Sequence, residues 1–276
     1  MNFSYRRTYR GPVEAVLLDW AGTTMDFGCI APAVVFVEVF KRQGVPIDMG
    51  EARAPMGAHK RVHIQRITAL DSVRERWRTR HGRDPNNDDV ERMFEEFVPL
   101  QLKCLSDYSE MIPGALDAIA ELRRRGIKIG STTGYTTEMM EINLRDAARQ
   151  GYKPDQTVCA SDVPHGRPYP YMCLTNVIRL GVSTVEACVK VDDTIPGVEE
   201  GLNAGMWTVG FAVSGNEVGL SLKEWNALPM AEKERRRARA YQRMQQCGAH
   251  YVVDSIADLM PCIDDIQARI NRGERP

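Results

Sequence analysis

The first apolar run of the chain, VEAVLL at 13–18, ends in Asp19, and Trp20-Ala21-Gly22-Thr23-Thr24 follows. A carboxylate at the end of a buried strand, beside backbone amides loosened by glycine, suits attack on phosphorus. It can form an aspartyl-phosphate while convergent N–H groups and a metal ion offset charge on the transferring group. In isolation, the same aspartate reads more readily as a cap on the loop that follows. Further polar groups come later: Ser131-Thr132-Thr133-Gly134 after one apolar run, Arg167-Pro168-Tyr169-Pro170, and Asp192-Asp193-Thr194 after another. A guanidinium such as that of Arg167 binds oxyanions through parallel hydrogen bonds. Far from these runs, within a helical pattern, lies His59-Lys60-Arg61-Val62-His63. A spacing of three places Lys60 and His63 on one helix face.

The elements that must position these residues follow from periodicity. Short, mostly apolar runs at 13–18, 127–130, 157–160, 188–191, 207–211 and 251–253 read as strands of a sheet covered on both faces. Helical patterns at 115–125, 137–150, 169–180 and 196–204 are each closed by a glycine, at 126, 151, 181 and 205. Their alternation predicts a doubly wound, Rossmann-like α/β fold with a parallel sheet and ligands at the carboxyl ends of its strands. The stretch 29–108 breaks the alternation, offering helical patterns at 32–43, 60–70, 72–80 and 89–105 and no strand. This predicts a core made of 1–28 and 109–276, with 29–108 inserted as a helical cap. The polar loop 82–89 (GRDPNNDD) offers Asp88 or Asp89 as the cap of the next helix. The segment 232–243, charged at nearly every position, reads as a solvated helix face. Residues beyond about 216 are expected only to extend the core.

Composition limits the partners. The chain has 276 residues, 43% hydrophobic and 26% charged, which excludes fibrous and low-complexity classes. With 36 basic and 37 acidic side chains, the net charge of -1 argues against nucleic acid or an anionic membrane as ligand. An anionic small molecule must be held by local charge. Seven cysteines without a CxxC pair read as reduced thiols in a cytoplasm. The basic N-terminal segment 1–12 precedes an apolar stretch too short for a signal peptide, and no run approaches the ~20 residues of a membrane span.

Asp19 to Thr24, DWAGTT, resembles the first motif of the haloacid dehalogenase superfamily, whose usual form is an Asp nucleophile, any residue, a second Asp, then Gly-Thr. The later segments at 131–134, 167–170 and 192–194 stand in that superfamily's order. The resemblance implies that the Thr133 hydroxyl holds a phosphoryl oxygen, Arg167 offsets its charge and Asp193 binds Mg2+. Two positions depart from the pattern. Ala21 replaces the second Asp, the general acid for an oxygen leaving group, and alanine donates no proton. Gly197 stands where many members place another acid, leaving Asp192 to compensate. Carbon–phosphorus cleavage needs no acid at position 21, but it needs an electron sink, which a lysine imine can supply.

The segment PMGAHKRVH at 55–63, taken with DWAGTT, resembles the phosphonoacetaldehyde hydrolases. So do 29–37, STTGYT at 131–136, GYKPD at 151–155, GRPYP at 166–170 and NAGMWTVG at 203–210. This resemblance implies a phosphonate substrate, an imine on Lys60, a nucleophilic Asp19 and His63 as proton shuttle. It further implies a site lined by Met56, Gly57, Thr133, Tyr135 and Arg167, and Mg2+ held by Asp19, the backbone carbonyl of Ala21 and Asp193. A homodimer through the cap is implied as well. Cys29 belongs to the matching segments and reads as packing. The imine requires Lys60 to spend time uncharged, which burial or nearby cations favour. His165 and His250 receive no role. The rival readings are a phosphate-ester hydrolase or phosphomutase, a haloacid dehalogenase, and an idle binding protein that kept the fold.

Overall fold

A computed structural model describes residues 8–276; the first seven residues of the basic N-terminal segment lie outside the described residues. Six strands form one sheet: β1 (Ala15–Leu18), β2 (Lys128–Thr133), β3 (Gln156–Cys159), β4 (Cys188–Asp192), β5 (Trp207–Phe211) and β6 (Tyr251–Val253). Their order is β3-β2-β1-β4-β5-β6, and every pairing is parallel. The chain runs outward from β1 to β3, then returns to the other side of β1 for β4. That reversal opens a crevice at the carboxyl ends of β1 and β4, where doubly wound folds bind ligands. All four side chains of β1 are fully buried. Burying Val16, Leu17 and Leu18 is worth about 2 kcal/mol each, and the position leaves no room for a register slip.

Between β1 and the rest of the sheet lie α1 (Ile30–Arg42), α2 (Met49–Arg53), α3 (Lys60–Thr68), α4 (Asp71–His81) and α5 (Asn87–Cys104), followed by a 3-10 turn at Leu105–Tyr108. Their apolar faces share Phe36, Phe40, Trp77, Met93 and Phe97, all buried, and the Phe36 and Phe97 rings stack with centroids 4.5 Å apart. The two chain crossings into this helical segment are tied together. Asp26 donates its amide to the carbonyl of Glu110, and Ile112 donates its amide to that of Thr24. The remaining helices flank the sheet: α6 (Ala115–Arg124), α7 (Thr137–Gln150), α8 (Tyr171–Leu180), α9 (Ile195–Asn203), α10 (Leu222–Ala227), α11 (Met230–Gln246) and α12 (Leu259–Asn271). On α11 only Ala240 and Met244 are buried, so its arginines lie on a solvated face. All seven cysteines are unpaired thiols. Among the described residues, no helix is long and apolar enough to cross a membrane.

The structure corrects several boundaries. α5 is capped by Asn86, not by Asp88 or Asp89; the Asp89 carboxylate instead accepts from the Asn86 amide, completing a reciprocal box. α1 begins at Ile30 because the Asp26 carboxylate accepts from the amides of Ile30 and Ala31, at 3.0 and 2.9 Å. β2 runs on through Ser131, Thr132 and Thr133, polar residues that an apolar pattern cannot find but whose backbone pairs with β3. α8 starts two residues later than its periodicity suggests, with Pro170 at its N-cap.

Candidate active site

The amide of Asp19 donates to the carbonyl of Val191, which sets the residue after β1 beside the end of β4. This brings the carboxylates of Asp19, Asp192 and Asp193 together, with one oxygen from each lying within 4.8 Å of the others. Arg167, on the loop before α8, spans the group. Its Nη2 donates to Asp19 Oδ1 at 2.6 Å and to Thr132 Oγ1 at 2.8 Å and lies 3.0 Å from Asp192 Oδ2, while Nε donates to Glu200 Oε2 at 3.1 Å. Lys190, fully buried on β4, donates to Asp192 Oδ2 and Thr132 Oγ1, both at 2.7 Å. Four buried carboxylates thus face two buried cations, a formal charge of about -2 in a region of low dielectric.

The proton affinities follow from this imbalance. Burial pushes Asp19 up to about 6 although Arg167 pulls the other way. Asp193 goes well above the carboxylate range, first by burial and then by repulsion from Asp19 and Asp192. Burial also acts to raise Asp192, but Arg167 and Lys190 outweigh it and hold that group low. The donor set fits a hard divalent cation, with several carboxylate oxygens and excess negative charge. Asp192 is already saturated: Lys190 and Arg167 take Oδ2, and Thr194 donates to Oδ1 from its amide at 3.0 Å and its hydroxyl at 2.7 Å. It braces the site. Asp193 accepts one hydrogen bond on each oxygen, from the Thr23 hydroxyl at 3.1 Å and the Asn216 amide at 2.8 Å, and retains lone pairs for an ion.

Gly197 now has a physical reason. A Cβ at that position would stand about 2 Å from the Asp192 carboxylate atoms. Asp192 fills the room a side chain at 197 would need. Gly22, at φ +86°, is equally required, because its Cβ would lie 2.2 Å from Asp193 Oδ2.

Lys60 comes to this crevice from the helical segment. It occupies the first turn of α3, is 4% exposed, and holds Nζ 4.5 Å from the centroid of the Tyr135 ring. Burial lowers its pKa to about 8 even though Asp19 and Asp26 favour the ammonium. The positive end of α3 adds to the penalty on the charged form. Lys60, Met56 and Gly57 face Asp19, Ala21, Thr133, Tyr135 and Arg167 across a pocket of about 20 Å³, with Cys29 and Pro32 on its wall. That is room for about one water. The Tyr135 amide donates to Thr133 Oγ1 at 3.1 Å, fixing the hydroxyl at the pocket edge. A cavity of about 630 Å³ between α2, α11 and the segment after β5 is far larger, but Asp19 and Lys60 do not line it.

Of the site residues expected from the sequence, Asp193 stands behind Asp19 and His63 does not line the pocket. The His63 ring is fully buried and stacks on Phe36 with centroids 3.8 Å apart, and its Nε2 lies 2.8 Å from the carbonyl of Ala52. Burial, with help from Lys60, holds it well below the usual histidine range, so it is neutral. Nε2 then carries the proton given to Ala52, and Nδ1 is left bare and without a partner. His63 lies on α3 with Lys60, three residues on, but its ring packs on Phe36 and does not line the pocket.

Four participants escaped sequence reading: Thr132, Lys190, Glu200 and Asn216. A lysine inside the apolar run CVKVDD was a usable signal, since a charge on a doubly covered strand must be paired. Glu200 and Asn216 carried none.

Residues 13–205 match the model of the haloacid dehalogenase-like hydrolase family. A phosphonoacetaldehyde hydrolase of Hahella chejuensis is 49% identical over 276 residues, which is all of this chain and 94% of that one. One from Syntrophobacter fumaroxidans is 48% identical over 274 residues, 99% of each chain. The crystal structure of a phosphonoacetaldehyde hydrolase-like protein from Oleispira antarctica covers the whole of both chains with a TM-score of 0.97 at 45% identity. Full-length similarity of this degree, on a parallel sheet whose strand ends carry the expected motifs, places the chain in the phosphonoacetaldehyde hydrolase family of the haloacid dehalogenase-like hydrolases.

Proposed function

We propose that the chain hydrolyses phosphonoacetaldehyde to acetaldehyde and phosphate through an imine on Lys60 and a phosphorylated Asp19. The observation that carries this reading is the meeting of the Lys60 amine and the Asp19 carboxylate, from separate parts of the chain, at one pocket of about 20 Å³. A lysine with a pKa of about 8 is roughly one tenth free amine at pH 7, against well under a thousandth for an ordinary one.

The amine adds to the aldehyde and water leaves, giving the protonated imine. Asp19 then attacks phosphorus, and the carbon–phosphorus electron pair passes into the imine to give an enamine. Protonation at carbon and hydrolysis return acetaldehyde and the amine, and water cleaves the aspartyl-phosphate to phosphate. The leaving atom is carbon, so Ala21 costs the reaction nothing. Arg167 offsets phosphonate charge while keeping Asp19 ionised, and the Thr133 hydroxyl holds one oxygen. His63, packed on Phe36 outside the pocket, has no contact with substrate in this mechanism. Mg2+ held by Asp19, Asp193 and the Ala21 carbonyl would neutralise charge on the transferring group. A pocket this small requires the helical cap, 29–108, to move away from the core for substrate to enter, and its return excludes water. We take the enzyme to be cytoplasmic, on its unpaired thiols, and a homodimer joined through α1, where Val34 and Val37 stay only half-buried.

Borohydride added with phosphonoacetaldehyde should inactivate the enzyme and label Lys60, located by peptide mass. Lys60→Arg, which keeps the charge but forms no imine, should release no acetaldehyde. Inactivation without a label on Lys60, or turnover by the variant, would refute the mechanism.

A further inference from the structure

Arg53, the last residue of α2, reaches out of the helical segment to the core. Its Nη1 donates to the carbonyls of Gly28 and Cys29, at 2.8 and 3.2 Å, and to Asn216 Oδ1 at 3.3 Å. Gly28 and Cys29 form the first crossing into the helical segment, and both hold positive φ, +91° and +51°. Asn216 belongs to the segment after β5, whose backbone amide donates to Asp193 Oδ2 at 2.8 Å. The same segment holds the crossing and the nucleophile loop. Ser214 accepts the Gly28 amide on its carbonyl at 2.7 Å and donates its hydroxyl to the carbonyl of Gly22 at 2.8 Å.

The segment is thin where it has to be. A Cβ on Gly215 would stand 2.1 Å from Asp193 Cβ, and a Cβ on Gly219 would stand 2.8 Å from Arg53 Nε. One layer of backbone therefore separates an arginine of the helical segment from an acid of the core. A side chain at either glycine would push the layers apart.

We propose that Arg53 is a positioning residue that couples the seating of the helical cap to the orientation of Asp193, through Asn216. When the cap sits as seen here, Arg53 pins the crossing and Asn216 together, and the Asn216 amide fixes Asp193 Oδ2. When the cap swings away, Arg53 withdraws and Asp193 loses its alignment. The inference rests on the reading of Asp193 as a holder of Mg2+. Partners that orient a metal ligand are typically worth 10- to 100-fold in metal affinity.

The test is Mg2+ binding by calorimetric titration of the full chain without substrate, together with melting temperature and hydrogen exchange at the amides of residues 28–31. Arg53→Ala should weaken Mg2+ binding about tenfold and speed exchange at the crossing, and Arg53→Lys should recover part of both. Asn216→Ala, which keeps the amide but removes the Oδ1 acceptor, should weaken binding in the same direction. If Arg53→Ala lowered the melting temperature and left the Mg2+ dissociation constant unchanged, Arg53 would be merely structural and the proposal overturned. If the native chain bound no Mg2+, the metal reading would fail and take this inference with it.

Discussion

Lys60→Met should make the protein more stable at neutral pH while ending the imine chemistry proposed for it. The folded chain holds this lysine at about 8, against 10.5 for an ordinary one. At about 1.36 kcal/mol per unit, keeping Lys60 protonated in the folded state costs about 3 kcal/mol. Between roughly pH 8 and 10.5 the unfolded chain binds more protons at this position than the folded one. Native stability therefore rises with pH across that window, and below it the full penalty is present. Methionine has a similar length and no charge, so it removes the penalty and its pH dependence together. The gain of about 3 kcal/mol is an upper bound, because the neighbouring Asp26 loses a favourable cation. In a chain of this size it corresponds to a rise in melting temperature of roughly 6–10 °C at pH 7. At pH 9.5 the gain should fall to about half. Scanning calorimetry of both proteins at the two pH values reads it directly. No stabilisation at pH 7, or a gain that persists unchanged at pH 9.5, would refute the claim that Lys60 is a strained, deprotonation-prone amine.

Three further outcomes can be checked. Tyr135→Leu removes the ring face 4.5 Å from the Lys60 ammonium, so the lysine pKa should drop by about one unit and the alkaline rise of kcat/KM should move to lower pH by that amount; an unmoved midpoint argues against the contact. Gly197→Ala drives a Cβ to about 2 Å from the Asp192 carboxylate and should cost about 1–3 kcal/mol by denaturant titration. Adding Asp192→Ala should make that second change nearly free, and simple additivity of the two losses would show the groups are not in contact. Mg2+ at 100 times its dissociation constant should stabilise the fold by about 3 kcal/mol in thermal melts, and a chelator should abolish both the gain and acetaldehyde release; turnover in excess chelator would exclude the metal role.

The parts of the fold legible in the sequence were those written in short apolar runs and glycine stops. The run at 13–18 and the glycine stops of the helices lie where their period puts them, because burial on both faces forces an apolar pattern, and of those helices only α8 starts two residues late. The polar end of β2 was hidden, since Ser131 to Thr133 are buried by hydrogen bonding and not by hydrophobicity. At the site, Asp19, Lys60, Thr133 and Arg167 stood in recognisable motifs, and the structure brings all four to one pocket. The underlying brace was illegible for a different reason. Glu200 and Asn216 matter through tertiary neighbours on other elements, Arg167 and Lys190 for the first and Asp193 and Arg53 for the second, and nothing local distinguishes them from solvated residues. His63 shows the converse: its helical spacing was read correctly, but Phe36 decided which layer it joined.

Charge balance explains why so much of the site is devoted to holding itself together. The proposed mechanism requires Asp19 to be ionised, yet burial and the neighbouring Asp192 favour the protonated form. Arg167, bonded to Asp19 at 2.6 Å, keeps the carboxylate available. It cannot serve Asp19 alone, because Asp192 and Glu200 share it. Lys190 relieves that competition by sharing the Asp192 oxygen that Arg167 meets, which leaves more of the guanidinium's charge for Asp19. With all four carboxylates ionised, the six side chains leave two negative charges uncompensated, which a phosphonate dianion would meet on the proposed reading. An anion cannot enter such a crevice against that charge in a low dielectric. On the proposed mechanism, local cations hold Asp19 in readiness, while admitting the substrate would fall to a divalent ion held by Asp19 and Asp193 and to the Lys60 amine of the helical segment. On that reading a net charge of -1 is no obstacle to an anionic substrate.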